Sequence, residues 1–135
     1  MSKLSAFLNP VTSDEKKEIV ISKRFVDEKG DPIPFKIRAI TQAENDQIIK
    51  ASKRSVKVNG VMQEKLDTTE MSRRLVVEGT VYPDFRDSEL CNGYGTMNPY
   101  EVPGKMLLAG EYSNLLAEIN KLSGFDVDVE EEAKN

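Results

Sequence analysis

The sequence contains no histidine and no tryptophan, and only one cysteine, Cys91. Without histidine, both the commonest general base at neutral pH and the commonest metal ligand are missing. One cysteine excludes an intrachain disulfide and fits a reducing compartment. No histidine is present to activate Cys91 as a nucleophile, so it reads as a half-buried small hydrophobe. Aromatics make up 7% of the chain, and any aromatic interface anchor must be Tyr or Phe. No apolar run approaches the roughly 18 residues that span a bilayer. The start, MSKLSAFLNP, has one lysine and too short an apolar stretch for a signal peptide. A cytoplasmic protein is the expectation. A Cys/His metal pattern, a Ser-His-Asp set and a glycine-rich phosphate loop are also missing. Asn92-Gly93-Tyr94-Gly95 lacks the lysine of such a loop and reads as a turn. Asp126-Val127-Asp128-Val129-Glu130 lacks the central glycine of a calcium loop. The residues therefore predict no catalytic, cofactor or metal site, and not an enzyme.

What is present is a moderately charged chain of 135 residues, enough for one domain with a real core. Its net charge of −4 is unevenly placed. Residues 126–135 hold five acids and Lys134, while the 23 acids and 19 bases overall leave 18 of each in residues 1–125. No global basic field exists to recruit nucleic acid. The expected organisation is one domain over residues 1–125, of which 1–17 are an N-terminal segment and linker. Residues 126–135 form an acidic tail expected to be disordered. The alternation of Val127 and Val129 with acids also suits addition to a sheet edge or groove on a partner.

Leu4, Phe7 and Leu8 fall on one side of a short turn that Asn9-Pro10 ends. That turn either docks on the core or binds a partner. Residues 11–18 read as a solvated linker. The runs 18–25 and 33–40 frame DEKGDP and predict an antiparallel hairpin with a loop longer than two residues. Ile33, Phe35, Ile37 and Ala39 alternate with Pro34, Lys36, Arg38 and Ile40, the period of a strand with one buried face. Thr41-Gln42-Ala43-Glu44 is a capping box opening a helix to about residue 53, with Ala43, Ile48, Ala51 and Gln47 placed inward. Lys50, Lys53, Arg54 and Lys57 form the densest basic cluster. They complement the helix dipole. A nucleic-acid module is the alternative reading, but no aromatic is interleaved for base stacking. Asn59-Gly60 predicts a two-residue hairpin, with Val56 and Val58 facing roughly Val61 and Gln63 across it, loosely attached to the core. A helix from Thr68 or Thr69 weakens at Gly79 and ends at Tyr82-Pro83. A short turn follows at residues 87–91.

Asn98-Pro99-Tyr100-Glu101 has an N-cap, a proline at N1 and a glutamate at N3. Pro103 restarts a helix carrying Met106, Leu107 and Leu108, with a bend at Ala109-Gly110. Tyr112, Leu115, Leu116, Ile119 and Leu122 then give one continuous stripe at helical spacing. Gly124 is placed to end that helix in the left-handed conformation, followed by Phe125. The stripe is assigned to the core. The partner surface is placed at its edges: Ala109, Gly110 and Tyr112 at the bend, Phe125 at the exit, and Leu4, Phe7 and Leu8 at the N-terminal turn. The fold class is α+β, an N-terminal antiparallel β-hairpin followed by a mostly α-helical body and the acidic tail.

These motifs, in this order, resemble a known family. Thr80-Val81-Tyr82-Pro83-Asp84-Phe85, Asp87-Ser88-Glu89-Leu90, Tyr94-Gly95, Met106 to Tyr112 and Gly124-Phe125-Asp126 are similar to the XkdN-like phage tail assembly chaperones. In the N-terminal half, Leu4 to Leu8, Ser22 to Phe25, Asp27 to Gly30 and Ile37 to Ile40 agree. The resemblance implies a non-enzymatic protein of tail morphogenesis in phages and prophages of Gram-positive bacteria. It implies binding to the tape measure protein, help in recruiting tail tube subunits, and absence from the finished virion. The alternatives are a minor structural tail or tail-completion protein retained in the virion, and the nucleic-acid module.

Overall fold

The computed structural model describes residues 3–11 and 16–125, so the expected acidic tail lies outside the described residues. The fold is α+β, with an early antiparallel hairpin followed mainly by helices. α1 (Ser5–Leu8) precedes β1 (Lys16–Ile19) and β2 (Phe35–Arg38). β1 and β2 pair antiparallel, with Lys16 opposite Arg38 and Ile19 opposite Phe35. β1 thus takes residues 16–18 from the expected linker and stops before the rest of the 18–25 run. The chain leaves the sheet there because it turns inward: Ile21 and Ser22 are buried, and the Ser22 hydroxyl accepts from the Arg24 amide at 3.0 Å. Phe25 packs on Phe35 with ring centroids 6.2 Å apart. Beyond it, Asp27 Oδ1 accepts from the amides of Lys29 (2.8 Å) and Asp31 (3.0 Å). Gly30 supplies the positive φ of 83° that this loop needs.

The capping box forms as predicted and opens α2 (Gln42–Ala51). Its inward face differs: Asn45 and Ile48 are buried, whereas Ala43, Gln47 and Ala51 are exposed. The buried line runs through Ile40, Asn45, Ile48 and Ser52, a helical spacing set by how β2 delivers the chain into the helix. β3 (Lys53–Val58) and β4 (Val61–Leu66) make the expected Asn59-Gly60 hairpin, and the pairing sets Val58 opposite Val61 and Val56 opposite Gln63. Asn59 and Gly60 both have positive φ, the requirement of a tight hairpin turn.

α3 (Thr68–Gly79) is capped by Asp67, not by a threonine: the carboxylate accepts from the Glu70 amide at 3.1 Å. α3 ends at Gly79, and Thr80–Tyr82 forms β5, antiparallel to β2, before the cis Tyr82–Pro83 bond. β2 is therefore the central strand of the order β1-β2-β5. Three residues between a helix and a proline carry too little periodicity to show as a strand. α4 (Ser88–Gly93), a 3₁₀ turn (Pro99–Glu101), α5 (Val102–Met106) and α6 (Ala109–Leu122) complete the fold. The core gathers Phe35 and Ile37 of β2, Val76 of α3, Phe85, Val102 of α5, and Leu115 and Ile119 of α6. Cys91 is buried, not half-buried as its sequence context suggests, with Sγ 3.3 Å from the Phe85 carbonyl.

Arg38 donates two bonds to Glu44, at 2.9 and 2.5 Å, and lies 3.8 Å from Glu78. Glu78 in turn pairs with Arg86, which also reaches the Tyr100 hydroxyl. The Arg38 bonds, reinforced by the Thr41 cap, hold the Glu44 carboxyl at about 2, below its ordinary value of 4.5. A carboxylate so depressed stabilises the fold above its unfolded pKa and ceases to do so as pH falls through the folded one. Melting temperature is therefore expected to fall between pH 4.5 and 2. Glu44→Gln should flatten that decline and lower stability at neutral pH, as read by thermal melts across the range.

Candidate functional site

The apolar stripe of α6 faces inward: Leu115 and Ile119 are fully buried, with Tyr112, Leu116 and Leu122 packed against the core at its margins. What remains outside is the start of the helix. The bend lies two residues before the predicted place. Leu107 (ψ 148°) and Leu108 (ψ 157°) are extended, and Ala109 and Gly110 already belong to the first turn of α6. Leu107 is buried while Leu108 faces solvent. Opposite demands on two adjacent leucines require an extended link, because successive side chains then point to opposite sides.

Glu111 fixes this bend. Its carboxylate accepts from the Leu108 amide at 2.8 Å, one half of a capping box, since leucine has no side-chain oxygen for the other half. It also accepts from Arg24 at 2.5 and 3.2 Å, and the same guanidinium donates to the Met106 carbonyl at 3.2 Å. The Arg24 bonds first, then those from Ser22 and the Leu108 amide, hold the Glu111 carboxyl at about 2. Residues 80 or more apart in sequence are thereby tied across the α5–α6 junction.

Beside the bend lies an open groove of about 550 Å³, walled by Thr69, Ser72 and Arg73 of α3, Gly104 and Leu107, and Ala109, Tyr112 and Ser113 of α6. Tyr112 is half-buried in its wall, and burial raises its phenol pKa. A side chain at Gly104 would meet open space, so the groove floor is unobstructed. With Leu107, Ala109 and Tyr112 in its walls, this is an apolar trough with a polar edge, suited to an apolar side chain or a short helical segment. Of the residues singled out from sequence, Ala109 and Tyr112 line this groove, and Gly110 lies beside Ala109 on the same first turn. Phe125 does not join them. It follows the far end of α6, about 20 Å away at 1.5 Å per residue. There Gly124 (φ 93°) closes a Schellman motif, with the Phe125 amide donating to the Asn120 carbonyl at 3.0 Å and the Gly124 amide to Lys121 at 3.1 Å.

Leu4, Phe7 and Leu8 are exposed by 59, 81 and 71%. They do not dock on the core, so one of the two readings of that turn is corrected. Four residues of helix bury nothing, and a turn so short cannot hold itself against the body. Sequence reasoning missed Arg73, Ser72, Gly104 and the split between Leu107 and Leu108. The only trace was an apolar run, Met106-Leu107-Leu108, longer than the buried face of a five-residue helix requires.

A second groove, of about 650 Å³, is lined by Tyr82, Pro83, Leu90 and Tyr94 with the acids Asp84, Asp87 and Glu89. Two of these acids serve local structure: Asp84 accepts from the Arg86 amide, and Asp87 caps α4. No helix among the described residues is long and apolar enough to cross a membrane.

Residues 4–134 match the model of the phage XkdN-like tail assembly chaperone family. The chain is 40% identical over 139 aligned positions to the phage-like element PBSX protein XkdN of Bacillus subtilis (strain 168), covering 98% of this chain and 93% of that protein. It is 41% identical, with the same coverage, to the uncharacterised protein YqbN of the same organism. A crystal structure of YqbN superposes with a TM-score of 0.77 at 38% identity, covering 93% of this chain and 99% of the other. With nearly its whole length matched in sequence and fold, the chain belongs to the XkdN-like phage tail assembly chaperone family.

Proposed function

We propose that this protein acts without catalysis, in the bacterial cytoplasm, as a chaperone that binds the tape measure protein and assists tail tube assembly. The observation that carries this reading is the open apolar groove at the bend, on a chain belonging to a tail assembly chaperone family. A tape measure protein is long and helical with apolar faces that need cover before packaging, and a helix-in-groove contact supplies that cover. The groove edge of Leu107, Ala109 and Tyr112 is the primary contact. Leu4, Phe7 and Leu8 form a second apolar contact, and Phe125 marks the far end of the reach.

Co-expression with the tape measure protein of the same tail gene cluster tests the reading. The client should become soluble and co-purify, and the chaperone should be absent from purified virions by mass spectrometry. Ala109→Arg with Ser113→Glu changes only exposed positions that line the groove and should weaken the complex at least about tenfold, about 1.4 kcal/mol, at nearly unchanged melting temperature. Retention in the virion would favour a minor structural tail protein instead. Failure to solubilise or capture the client would sink the proposal.

A further inference from the structure

The β3–β4 hairpin is little covered, with every residue of β4 exposed. It forms a two-stranded sheet of its own. Isolated hairpins of this size are marginal in water, and an open edge is a template for another strand. The hairpin is also basic within an acidic protein: residues 53–66 carry four bases and one acid, Glu64. Arg54 stands directly opposite Lys65, a like-charge pair that weakens the hairpin taken alone. Arg54 has Asp67 at 3.9 Å, but Lys53, Lys57 and Lys65 make no ion pair among the described residues.

Side chains alternate along β3, so Lys53, Ser55 and Lys57 share one face while Arg54, Val56 and Val58 share the other. The sequence has one segment with the complementary alternation, Asp126-Val127-Asp128-Val129-Glu130. Laid along β3 with Asp126 and Glu130 beside Lys53 and Lys57, in either direction, it sets one valine beside Val56 and the other beside the aliphatic stem of Arg54. The β4 edge fits worse, because it offers the acids one lysine, Lys65, and sets Glu64 among the valines.

We propose that the open edge of β3 takes residues 126–130 of a second copy of this chain as a third strand. The partner is a second copy because of reach. The Ile40 amide donates to the Ser123 hydroxyl at 2.8 Å, which sets the end of α6 beside the start of α2. β3 begins beyond the other end of α2, about 15 Å away for ten residues. At about 3.3 Å per residue, residues 126–130 are consumed in covering that distance within one chain. This surface is separate from the groove at the bend and does not depend on the client-binding reading.

Sedimentation velocity of the full chain, from micromolar to millimolar concentration, tests the proposal. A concentration-dependent dimer that weakens with salt is expected. Lys53→Glu with Lys57→Glu should weaken it about tenfold, as should Val127→Pro with Val129→Pro, which keeps every charge but removes two strand amides. Adding Asp126→Lys, Asp128→Lys and Glu130→Lys to the first variant should restore the dimer. A monomer throughout, or a dimer indifferent to both pairs of substitutions, overturns the proposal. So does a hairpin whose lysines bind added duplex DNA while the chain stays monomeric.

Discussion

Leu115→Ala is expected to cost about 2–5 kcal/mol, the range for truncating a fully enclosed leucine. Leu115 has no exposed surface, and it lies in one cluster with Val76 of α3 and Ile119 one turn further along α6. The neighbouring Leu116 is only partly covered, so Leu116→Ala should cost roughly half as much, in proportion to the area it buries. Urea titrations at neutral pH measure both. The pair also decides what the stripe of α6 is for. If Leu115 is core, the truncated protein that remains folded should still capture its client. If melting barely moves while client binding is lost, the stripe faces the partner and the assignment of core is wrong.

Gly79→Ala should also destabilise, by about 1–3 kcal/mol, although alanine is the better helix former. A Cβ at residue 79 would stand 2.5 Å from Ile119 Cγ2 and 2.8 Å from its Cδ1. Both atoms belong to a side chain with no exposed surface and little room to turn. Gly79 is therefore the position that lets α3 and α6 approach, and the helix pays for that closeness in propensity. Ile119→Ala opens the needed space at its own cost, so the double variant should be less destabilised than the two single changes summed. A coupling of about 0.5–3 kcal/mol is expected for residues in contact. Strict additivity would show that the contact is relieved some other way.

Much of the fold was legible because its signals are local. The Thr41–Glu44 box, the Asn59-Gly60 turn, the alternation through Phe35 and Ile37 and the Gly124 stop each depend on residues within a few positions of one another. β5 escaped notice because a three-residue strand gains its identity from pairing with β2, not from its own pattern. The inward face of α2 was misplaced by about one residue, since the register of a helix against a sheet depends on the strand that feeds it. In the groove, Ala109 and Tyr112 come from the edge of the stripe. Thr69, Ser72 and Arg73, some forty residues away, come from another helix.

The amino-acid sequence by itself determined the class of fold, the caps and turns, the inward stripe of α6 and the family resemblance, because each is written in spacing and residue type. It also confined the excess negative charge to residues 126–135. Only the tertiary structure decided that Gly79 is a close-packing position and not merely a weak helix end. It placed the bend between Leu107 and Leu108, and locked that bend through Arg24 and Glu111, 87 positions apart. It left the Leu4–Leu8 turn uncovered and gave the basic hairpin an open edge. These are properties of which surfaces meet. A chain specifies them through the sum of many weak long-range contacts, none of which leaves a pattern in its own neighbourhood.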